Sequence, residues 1–393
     1  MAFIVVNADR ATSIGTASGD VVLIQRGVTV TSPLDGINGF NSSDLVIYNL
    51  GIVAGDLIGA SASSGSVVTN GADALFYGSA VGVWLNGTGA ALNNAGTIQS
   101  RGDGLADIIA AVGLNNASGA VIDNGGAILG GNIGIDLHGS TNDTTITNSG
   151  RISAVNAGIT GGGTLRLENS GSIVSGNGAA IAFGASDDAV RVTNTGTLSG
   201  AAAAVETGSA DDFLANRGTV DGGVSLGSGS DRLVNRGDIL GDVDLGDGAD
   251  RYTATAGGHV DGEVLGGLGD DVLRGGREDD RLSGGDGADR INGGVGDDVI
   301  DGGVGSDLLR GGAGADTFVF ADGSGVDLVL DFQINRDDVI DLSGVTAIDD
   351  FADLAANHLT FVDGNSVIDL GNGDTVTLAG VNAAALTAGD FVF

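Results

Sequence analysis

A nine-residue repeat constrains the fold of this chain more than any other feature. From Gly266 to Val319 the sequence reads GGLGDDVLR, GGREDDRLS, GGDGADRIN, GGVGDDVID, GGVGSDLLR and GGAGADTFV. Glycines at the first, second and fourth positions allow a sharp loop, and a short strand of roughly three residues follows each loop. Two nonapeptides then complete one flattened coil, which places loops 18 residues apart on the same side.

The sixth position of every nonapeptide is aspartate, and the coil aligns these side chains in two columns. The columns are Asp271, Asp289 and Asp307 on one edge, and Asp280, Asp298 and Asp316 on the other. Stacked carboxylates repel one another unless a cation lies between successive loops. A hard divalent cation takes six or more oxygen ligands, which carboxylates and loop carbonyls can supply. The pattern therefore predicts several calcium ions, with four sites between aspartates 18 residues apart.

Loop glycines and two upstream aspartates complete the predicted metal site. An acid also follows a glycine by four residues at Asp231 and Asp250, ahead of the regular repeats. One repeat departs from the pattern, because Glu278 replaces the fourth glycine and Arg277 precedes it, so the loop before Asp280 is expected to be distorted. The predicted glycines are Gly267, Gly269, Gly276, Gly285, Gly287, Gly294, Gly296, Gly303, Gly305, Gly312 and Gly314.

A longer repeat precedes the nonapeptides. The unit Asn-x-Gly-x-aliphatic begins at Asn49, Asn94, Asn124, Asn148, Asn169, Asn194, Asn216 and Asn235. The spacing of 19 to 25 residues between the last six asparagines fits one coil of a parallel β-helix. Each asparagine is expected to bridge neighbouring coils, each glycine to form a turn at positive φ, and each aliphatic residue to enter the core. The sequence leaves open whether Asp188 and Asp212 in these coils bind calcium.

These repeats predict an all-β chain in which a parallel β-helix continues into a tighter β-roll, with irregular β-rich ends. We expect an N-terminal cap with the first strands over residues 1–45 and the β-helix over residues 46–265. The calcium-binding roll covers residues 266–319, and a β-rich cap covers residues 320–393. The segment RGDGLADIIAAVG, residues 101–113, is expected to leave the coil.

The composition excludes several classes of protein. The formal charge of −35 repels nucleic acid and anionic lipid and favours a cation as partner. A hydrophobic fraction of 42% is too high for a disordered acidic tail. Residues 74–100 carry no formal charge, but their repeated asparagines and glycines disfavour a membrane span. The first residues lack the basic region of a secretory signal peptide. The absence of cysteine fits a cytosolic protein or an exported one stabilised by metal.

The nonapeptide pattern GGxGxDxUx resembles the repeats-in-toxin (RTX) repeat. That resemblance implies a parallel β-roll that binds calcium. The segments ADTFVF, VDLVLDFQINRDDVIDLSG, VIDLGNGDTVTLAGV and GDFVF are similar to the C-terminal segments of RTX proteins exported by bacterial type I secretion, and the resemblance covers about residues 227–393. It implies an extracellular protein with an uncleaved signal at Asp390–Phe393. Alternatively, these last four residues form an ordinary final strand.

The leading functional hypothesis is a secreted, calcium-stiffened structural or adhesive rod of a bacterial surface or matrix. We expect it to self-associate as an oligomer, filament or lattice, with cell-surface polysaccharide as a candidate partner and no enzymatic activity. The first alternative is a β-helix lyase, hydrolase or epimerase acting on acidic glycans. The wide sequence separation of His138, His259 and His358 disfavours such an active site. The second alternative is the calcium and secretion module of a larger toxin.

Overall fold

The chain folds almost entirely into parallel β-sheets, as predicted. The computed structural model describes residues 1–101, 110–255 and 257–393, so residues 102–109 of the predicted excursion lie outside the described residues. The sheets form a β-solenoid of about 15 turns, which confirms the predicted fold class. The chain divides into two compact units, the first made of residues 1–213 and 218–222 and the second of residues 214–217 and 223–393.

The first unit contains three parallel sheets, named A1, B1 and C1. Sheet A1 comprises Phe3–Val6, Val21–Ile24, Val46–Asn49, Val67–Asn70, Ala91–Asn94, Val121–Asn124, Thr144–Asn148, Leu165–Asn169 and Val190–Asn194. Sheet B1 comprises Thr29–Ser32, Ile52–Gly55, Leu75–Gly78, Thr97–Ser100, Ala127–Leu129, Arg151–Ala154, Ser172–Ser175, Thr197–Gly200 and Thr219–Asp221. Sheet C1 comprises Ile14–Gly15, Asp35–Asn38, Ile58–Ala62, Val81–Asn86, Ala110–Ser118, Ile133–Asn142, Ala157–Gly161, Ile181–Ala182 and Val205–Glu206.

A ladder of buried asparagines connects the coils of the first unit, which confirms the predicted role of the repeated asparagine. Each Nδ2 donates to the Oδ1 of the asparagine one coil later, over 2.7 to 2.9 Å. The ladder consists of Asn49, Asn70, Asn94, Asn124, Asn148, Asn169 and Asn194. Asn70 lies outside the sequence motif but occupies the position between its neighbours in the ladder. In the second unit, Asn216 donates to Asn235 in the same way over 3.0 Å.

The aliphatic residue of the same motif lies in the core, also as predicted. These side chains are 0% exposed: Val53, Ile98, Ile128, Ile152, Ile173, Leu198, Val220 and Ile239. They supply much of the apolar surface whose burial stabilises a thin solenoid.

The expectation of positive φ at the motif glycines was wrong. The backbone at these glycines is not in the left-handed region. A Cβ on Gly126 would instead collide with the carbonyl oxygen of Gly96 in the preceding coil, and a Cβ on Gly150 with that of Gly126. Glycine is required here because backbone packs directly on backbone between coils, a contact that a single repeat does not reveal.

Substituting one rung of the asparagine ladder is expected to destabilise the first unit. In Asn148→Ala, Asn124 loses its acceptor and Asn169 loses its donor, both in buried positions. Each unsatisfied buried group costs about 1–3 kcal/mol, so the loss at two groups should lower the free energy of unfolding by about 2–6 kcal/mol in urea denaturation. The exposed Asn156→Ala is the control, and equal losses in the two variants would contradict a structural role for the ladder.

The second unit has three sheets, named A2, B2 and C2, and the strand Phe213–Asn216 has residues in both units. Sheet A2 comprises Arg232–Asn235, Arg251–Ala254, Val272–Gly276, Arg290–Val295, Leu308–Ala313, Val326–Val329, Leu359–Val362, Asn365–Gly371 and Asp374–Leu378. Sheet B2 comprises Asp238–Ile239 and His259–Val260, and sheet C2 comprises Val224–Ser225, Val243–Asp247, Val264–Leu268, Arg281–Gly287, Val299–Gly305, Thr317–Ala321, Val339–Gly344 and Phe391–Val392. Short helical turns lie at Ile334–Arg336, Phe351–Asp353, Leu354–His358, Ala383–Ala385 and Ala388–Asp390.

The coil tightens after the last strand of sheet B2, His259–Val260. From there each coil consists of one strand of sheet A2 and one of sheet C2, and equivalent residues pair 18 positions apart, as Leu273 does with Ile291. This is the coil of two nonapeptides that the sequence predicts. Parallel pairing continues past residue 319, because Val326–Val329 pairs with Leu308–Ala313. The final strand, Phe391–Val392, pairs with Val339–Gly344.

No helix in the described parts of the chain has the length and apolarity that crossing a membrane requires.

Candidate metal centre

The aspartates of the nonapeptides lie at the loop ends of the tight coils, held in place by the core. Two residues after each aspartate, the apolar residue at the eighth position is at most 2% exposed. These anchors are Leu273, Leu282, Ile291, Ile300, Leu309 and Phe318. Burial of the anchor fixes the start of each strand, and the aspartate before it is therefore carried into the space between neighbouring loops.

Within each column, the backbone N–H of one aspartate donates to the carboxylate of the aspartate one coil later. The N–H of Asp271 donates to Oδ1 of Asp289 over 2.7 Å, and the N–H of Asp289 donates to Oδ1 of Asp307 over 2.8 Å. The corresponding distances in the second column are 2.9 and 3.1 Å. The structure thus brings together the aspartate pairs that the sequence predicts, and this hydrogen bond occupies Oδ1 of each accepting aspartate.

Both columns are longer than the six regular repeats. Upstream, the N–H of Asp231 donates to Asp250 and the N–H of Asp250 donates to Asp271, each over 2.7 Å. Downstream, Asp327 accepts from Asp307 over 3.0 Å and Asp338 accepts from Asp316 over 3.2 Å. Sequence reasoning identified the two upstream aspartates and missed the two downstream ones.

Partial repeat patterns in the sequence could have identified both of the missed aspartates. Asp327 ends the pattern GSGVD, in which Gly323 and Gly325 have the left-handed φ values of the regular loop glycines. Asp338 lies in DDVID at residues 337–341, a repetition of DDVID at residues 297–301.

The second oxygen of these carboxylates is buried without a partner. Oδ2 makes no hydrogen bond in Asp271, Asp280, Asp289, Asp298, Asp307, Asp316 and Asp327. An orphaned, ionisable oxygen in the interior is costly unless a cation or a proton reaches it. The orphaned oxygens therefore favour a bound cation.

The first glycine of the nonapeptide keeps open the space into which this oxygen points. A Cβ on Gly266 would meet both Oδ2 of Asp271 and the carbonyl oxygen of Gly284. A Cβ on Gly284 would likewise meet Oδ2 of Asp289 and the carbonyl oxygen of Gly302. Carboxylate and carbonyl oxygens converging on one small space are the donor set that Ca²⁺ prefers, so the residues present fit a calcium ion.

The second and fourth glycines shape the loop through left-handed backbone. Their φ values lie between 89° and 158° at Gly267, Gly269, Gly285, Gly287, Gly294, Gly296, Gly303, Gly305, Gly312 and Gly314. Gly276 differs, because its φ is outside this region, and its repeat carries Glu278 in place of the fourth glycine. The loop before Asp280 thus departs from the others at the position where its sequence departs.

Burial raises the pKa of the aligned carboxyls. Desolvation, with the charges of Asp307 and Asp271 adding to it, raises the pKa of Asp289 to about 7. For Asp280 the pKa is raised to about 7, again mainly by burial and then by the charge of Asp298. Burial also raises the pKa of Asp327 to about 7 and those of Asp298 and Asp316 to about 6. Without a cation, the columns therefore resist ionisation near neutral pH.

Calcium-free protein is expected to lose stability as the pH rises from about 4 to about 7. A carboxyl whose pKa is higher in the folded than in the unfolded state binds more protons when folded. Its contribution to the stability of the folded state is therefore fully present at pH values up to the ordinary pKa of 3.8, and it is lost as the pH rises past about 7. Thermal unfolding in chelator should give a higher melting temperature at about pH 5 than at about pH 8.

In saturating calcium the pH trend should reverse, since calcium binds the ionised carboxylate and competes with protons. A calcium-free melting temperature that rises with pH over the same window would contradict the burial of charge in the columns.

Asp212 and Asp188, whose role in calcium binding the sequence leaves open, differ in burial. Asp212 is buried and its Oδ1 accepts from the N–H of Val190 over 2.6 Å, whereas Asp188 is exposed and its Oδ2 accepts from the N–H of Gly163 over 3.0 Å. Among residues 1–101, 110–255 and 257–393, no three histidine, cysteine or acidic side chains form a metal-binding group. An ion in the columns would therefore rely on backbone carbonyls for most of its ligands.

A parallel β-solenoid with buried carboxylates aligned along its loops defines a class of metal-binding repeat protein. The model of the RTX calcium-binding nonapeptide repeat (4 copies) matches residues 265–300 and 292–326. The chain belongs to the family of proteins with RTX calcium-binding nonapeptide repeats. Comparison with curated protein sequences gives no significant match.

The solved structures similar to this chain include parts of two enzymes, an epimerase and a lipase. The AlgE6R2 subunit of the Azotobacter vinelandii mannuronan C5-epimerase is 33% identical over 33% of this chain and 89% of that chain, with a TM-score of 0.27. The AlgE6R3 subunit of the same enzyme is 32% identical over 32% of this chain and 78% of that chain, with a TM-score of 0.27. Extracellular lipase LipA from Serratia marcescens is 16% identical over 59% of this chain and 40% of that chain, with a TM-score of 0.27.

Proposed function

We propose that this chain is a secreted, calcium-binding structural or adhesive protein of the bacterial surface or matrix. The observation that carries the proposal is the set of buried Oδ2 atoms without partners, aligned in two columns along the second unit. Calcium ions bound by these carboxylates and by the loop carbonyls would neutralise the columns and join successive coils. Calcium supplies charge neutralisation and cross-linking in this role, and we propose no catalytic activity.

Coupling of folding to calcium binding would also help the chain to be exported from the cell. In a cytosol poor in calcium, the ionised columns disfavour the tight coils, and the chain stays extended enough to pass through a secretion channel. Outside the cell, each ion bound only by the folded state stabilises it by about 2.7 kcal/mol when calcium is a hundredfold above the dissociation constant. Several ions together then favour folding at the place where the protein acts.

We further propose that the protein self-associates through exposed strand edges. In the first unit, Phe3–Val6 pairs with Val21–Ile24, and Phe3 is 67% exposed. In the second unit, Leu359–Val362 pairs with Asn365–Gly371, and Phe361 is 52% exposed. An apolar edge strand offers unpaired backbone groups to another chain, which supports end-to-end association.

Electron microscopy and light scattering of the full chain during a calcium titration test this proposal. We expect filaments or lattices to form in millimolar calcium and to dissociate on chelation. Magnesium at equal concentration is the control, because it dehydrates reluctantly and favours a small octahedral site. Monodisperse monomers throughout the titration would overturn the assembly proposal.

A further inference from the structure

Five of the nine strands of sheet A2 form a basic surface in a strongly acidic chain. On its five strands from Arg232–Asn235 to Leu308–Ala313 no residue is acidic, although the chain has 51 acidic and 16 basic residues. The exposed arginines of these strands are Arg232, Arg251, Arg274, Arg290 and Arg310, here named the basic face. Clustering of the scarce positive charge on one sheet indicates a surface selected for an anion.

The register brings these arginines close to one another. Arg232 and Arg251 are directly opposite on neighbouring strands, and Arg274 and Arg310 lie on either side of Asn292. Like charges at opposed positions of neighbouring strands destabilise a sheet. The protein therefore bears an unfavourable interaction on this surface that its fold does not need.

Little of this charge is neutralised within the protein. Arg310 donates from Nε to Oδ2 of Asp331 over 3.0 Å. In the part of the chain that the structure describes, Arg251, Arg274 and Arg290 form no ion pair. Three guanidinium groups remain available for carboxylate or sulfate groups, which they bind through paired N–H donors.

A shallow depression of about 210 Å³ lies among these arginines. Its lining includes Val272, Leu308 and Leu330, with Arg274 and Arg290 also contributing. An apolar floor between guanidinium groups can pack against the C–H surface of a sugar ring while the arginines bind its acidic groups. The depression is open, as a site for one stretch of a long polymer must be.

We propose that the basic face binds an acidic polysaccharide whose sugars carry carboxylate or sulfate groups. Strands in the sheet are about 4.8 Å apart, so Arg251 and Arg290, two strands apart, repeat at about 10 Å along the direction in which an extended chain would lie. The inference rests on the proposed function, because it names the ligand through which an adhesive surface protein would attach.

The charge of the whole protein favours a glycan over the other polyanions. Duplex DNA carries one negative charge about every 1.7 Å of its axis, so a protein with a formal charge of −35 repels it strongly outside the basic face. A polysaccharide with one acidic group on each sugar has a lower charge density. A second copy of this chain is proposed to associate through the edge strands Phe3–Val6 and Leu359–Val362, which leaves the basic face to the glycan.

Binding of labelled oligosaccharides to the full chain in millimolar calcium tests the inference. The probes are a galacturonate oligomer too short to gel, a sulfated dextran oligomer and a neutral dextran oligomer, measured by fluorescence anisotropy. The test variant is Arg251→Gln with Arg290→Gln, and the control is Arg277→Gln with Arg281→Gln, which removes two exposed charges elsewhere on the second unit. The basic-face variant should bind the acidic oligomers at least about tenfold more weakly, and the control should change less than about twofold.

Binding should weaken with added salt, and the neutral oligomer should not bind. A preference for carboxylate or for sulfate supports the proposal and identifies the anionic group. The proposal is overturned if both variants lose affinity for the acidic oligomers equally, or if neither acidic oligomer binds. It is also overturned if a single-stranded oligothymidylate binds more tightly, or if only the basic-face variant loses self-association. Calcium-dependent melting is measured on the same variants, so intact calcium stabilisation without glycan binding rejects this inference and leaves the proposed function standing.

Discussion

Chelation of calcium is expected to unfold the second unit while the first unit stays folded. Each ion lost removes about 2.7 kcal/mol at a hundredfold excess over the dissociation constant, and four such sites sum to about 11 kcal/mol, comparable with the whole stability of a typical domain. The first unit is held by neutral asparagines and buried aliphatic residues and contains no nonapeptide. Calorimetry should therefore show one transition that moves with calcium and one that does not.

Hydrogen exchange read by mass spectrometry assigns these transitions to residues. Peptides covering residues 264–320 should lose protection in chelator, and peptides covering residues 121–200 serve as the internal control. A melting profile identical with and without chelator would contradict the calcium linkage and, with it, the proposed route of export.

Asp289→Asn is expected to change stability in opposite directions with and without calcium. The amide keeps an Oδ1 that can accept from Asp271 but removes the buried charge, so the calcium-free protein should melt at a higher temperature above about pH 7. In calcium the variant loses a carboxylate ligand shared by two predicted sites. The stabilisation gained from calcium should then fall by about 3–5 kcal/mol, measured as the shift of the calcium-dependent transition.

The matched control is Asp244→Asn, which removes an exposed acid from sheet C2 outside the columns. This variant should leave the stabilisation gained from calcium unchanged within about 0.5 kcal/mol. If both variants respond alike, net charge and not the column explains the calcium dependence.

The period of the repeats predicted most of the fold because coil length is written directly in the sequence. The spacing of the motif asparagines gave the longer coils, and the nonapeptide gave the two-strand coil with its paired aspartates. Asp327 and Asp338 were missed because their loops keep only part of the glycine pattern, while their register in the sheet is unchanged. The boundary between helix and roll at residues 265 and 266 stays a prediction.

Beyond the asparagine bridges and the aspartate pairs, the contacts between coils were not predicted from the sequence. The first glycine of the nonapeptide seemed to serve the turn, yet at Gly284 it makes room for the carboxylate of Asp289. The hydrogen bond from each aspartate N–H to the next carboxylate was also unforeseen, because it depends on the distance between coils. A repeat read alone contains no information on its neighbour's position.

The asparagine ladder of the first unit has a consequence for how such a protein changes length. Every interior side chain in it gives one hydrogen bond to the next asparagine and receives one from the asparagine before it, so an interior member meets the same environment whichever coil it occupies. Duplication or deletion of a complete coil rejoins the series with all amides satisfied. Gain or loss of a single residue inside a coil shifts an amide out of line and leaves two unmatched, so evolution is expected to lengthen this protein in whole-coil steps.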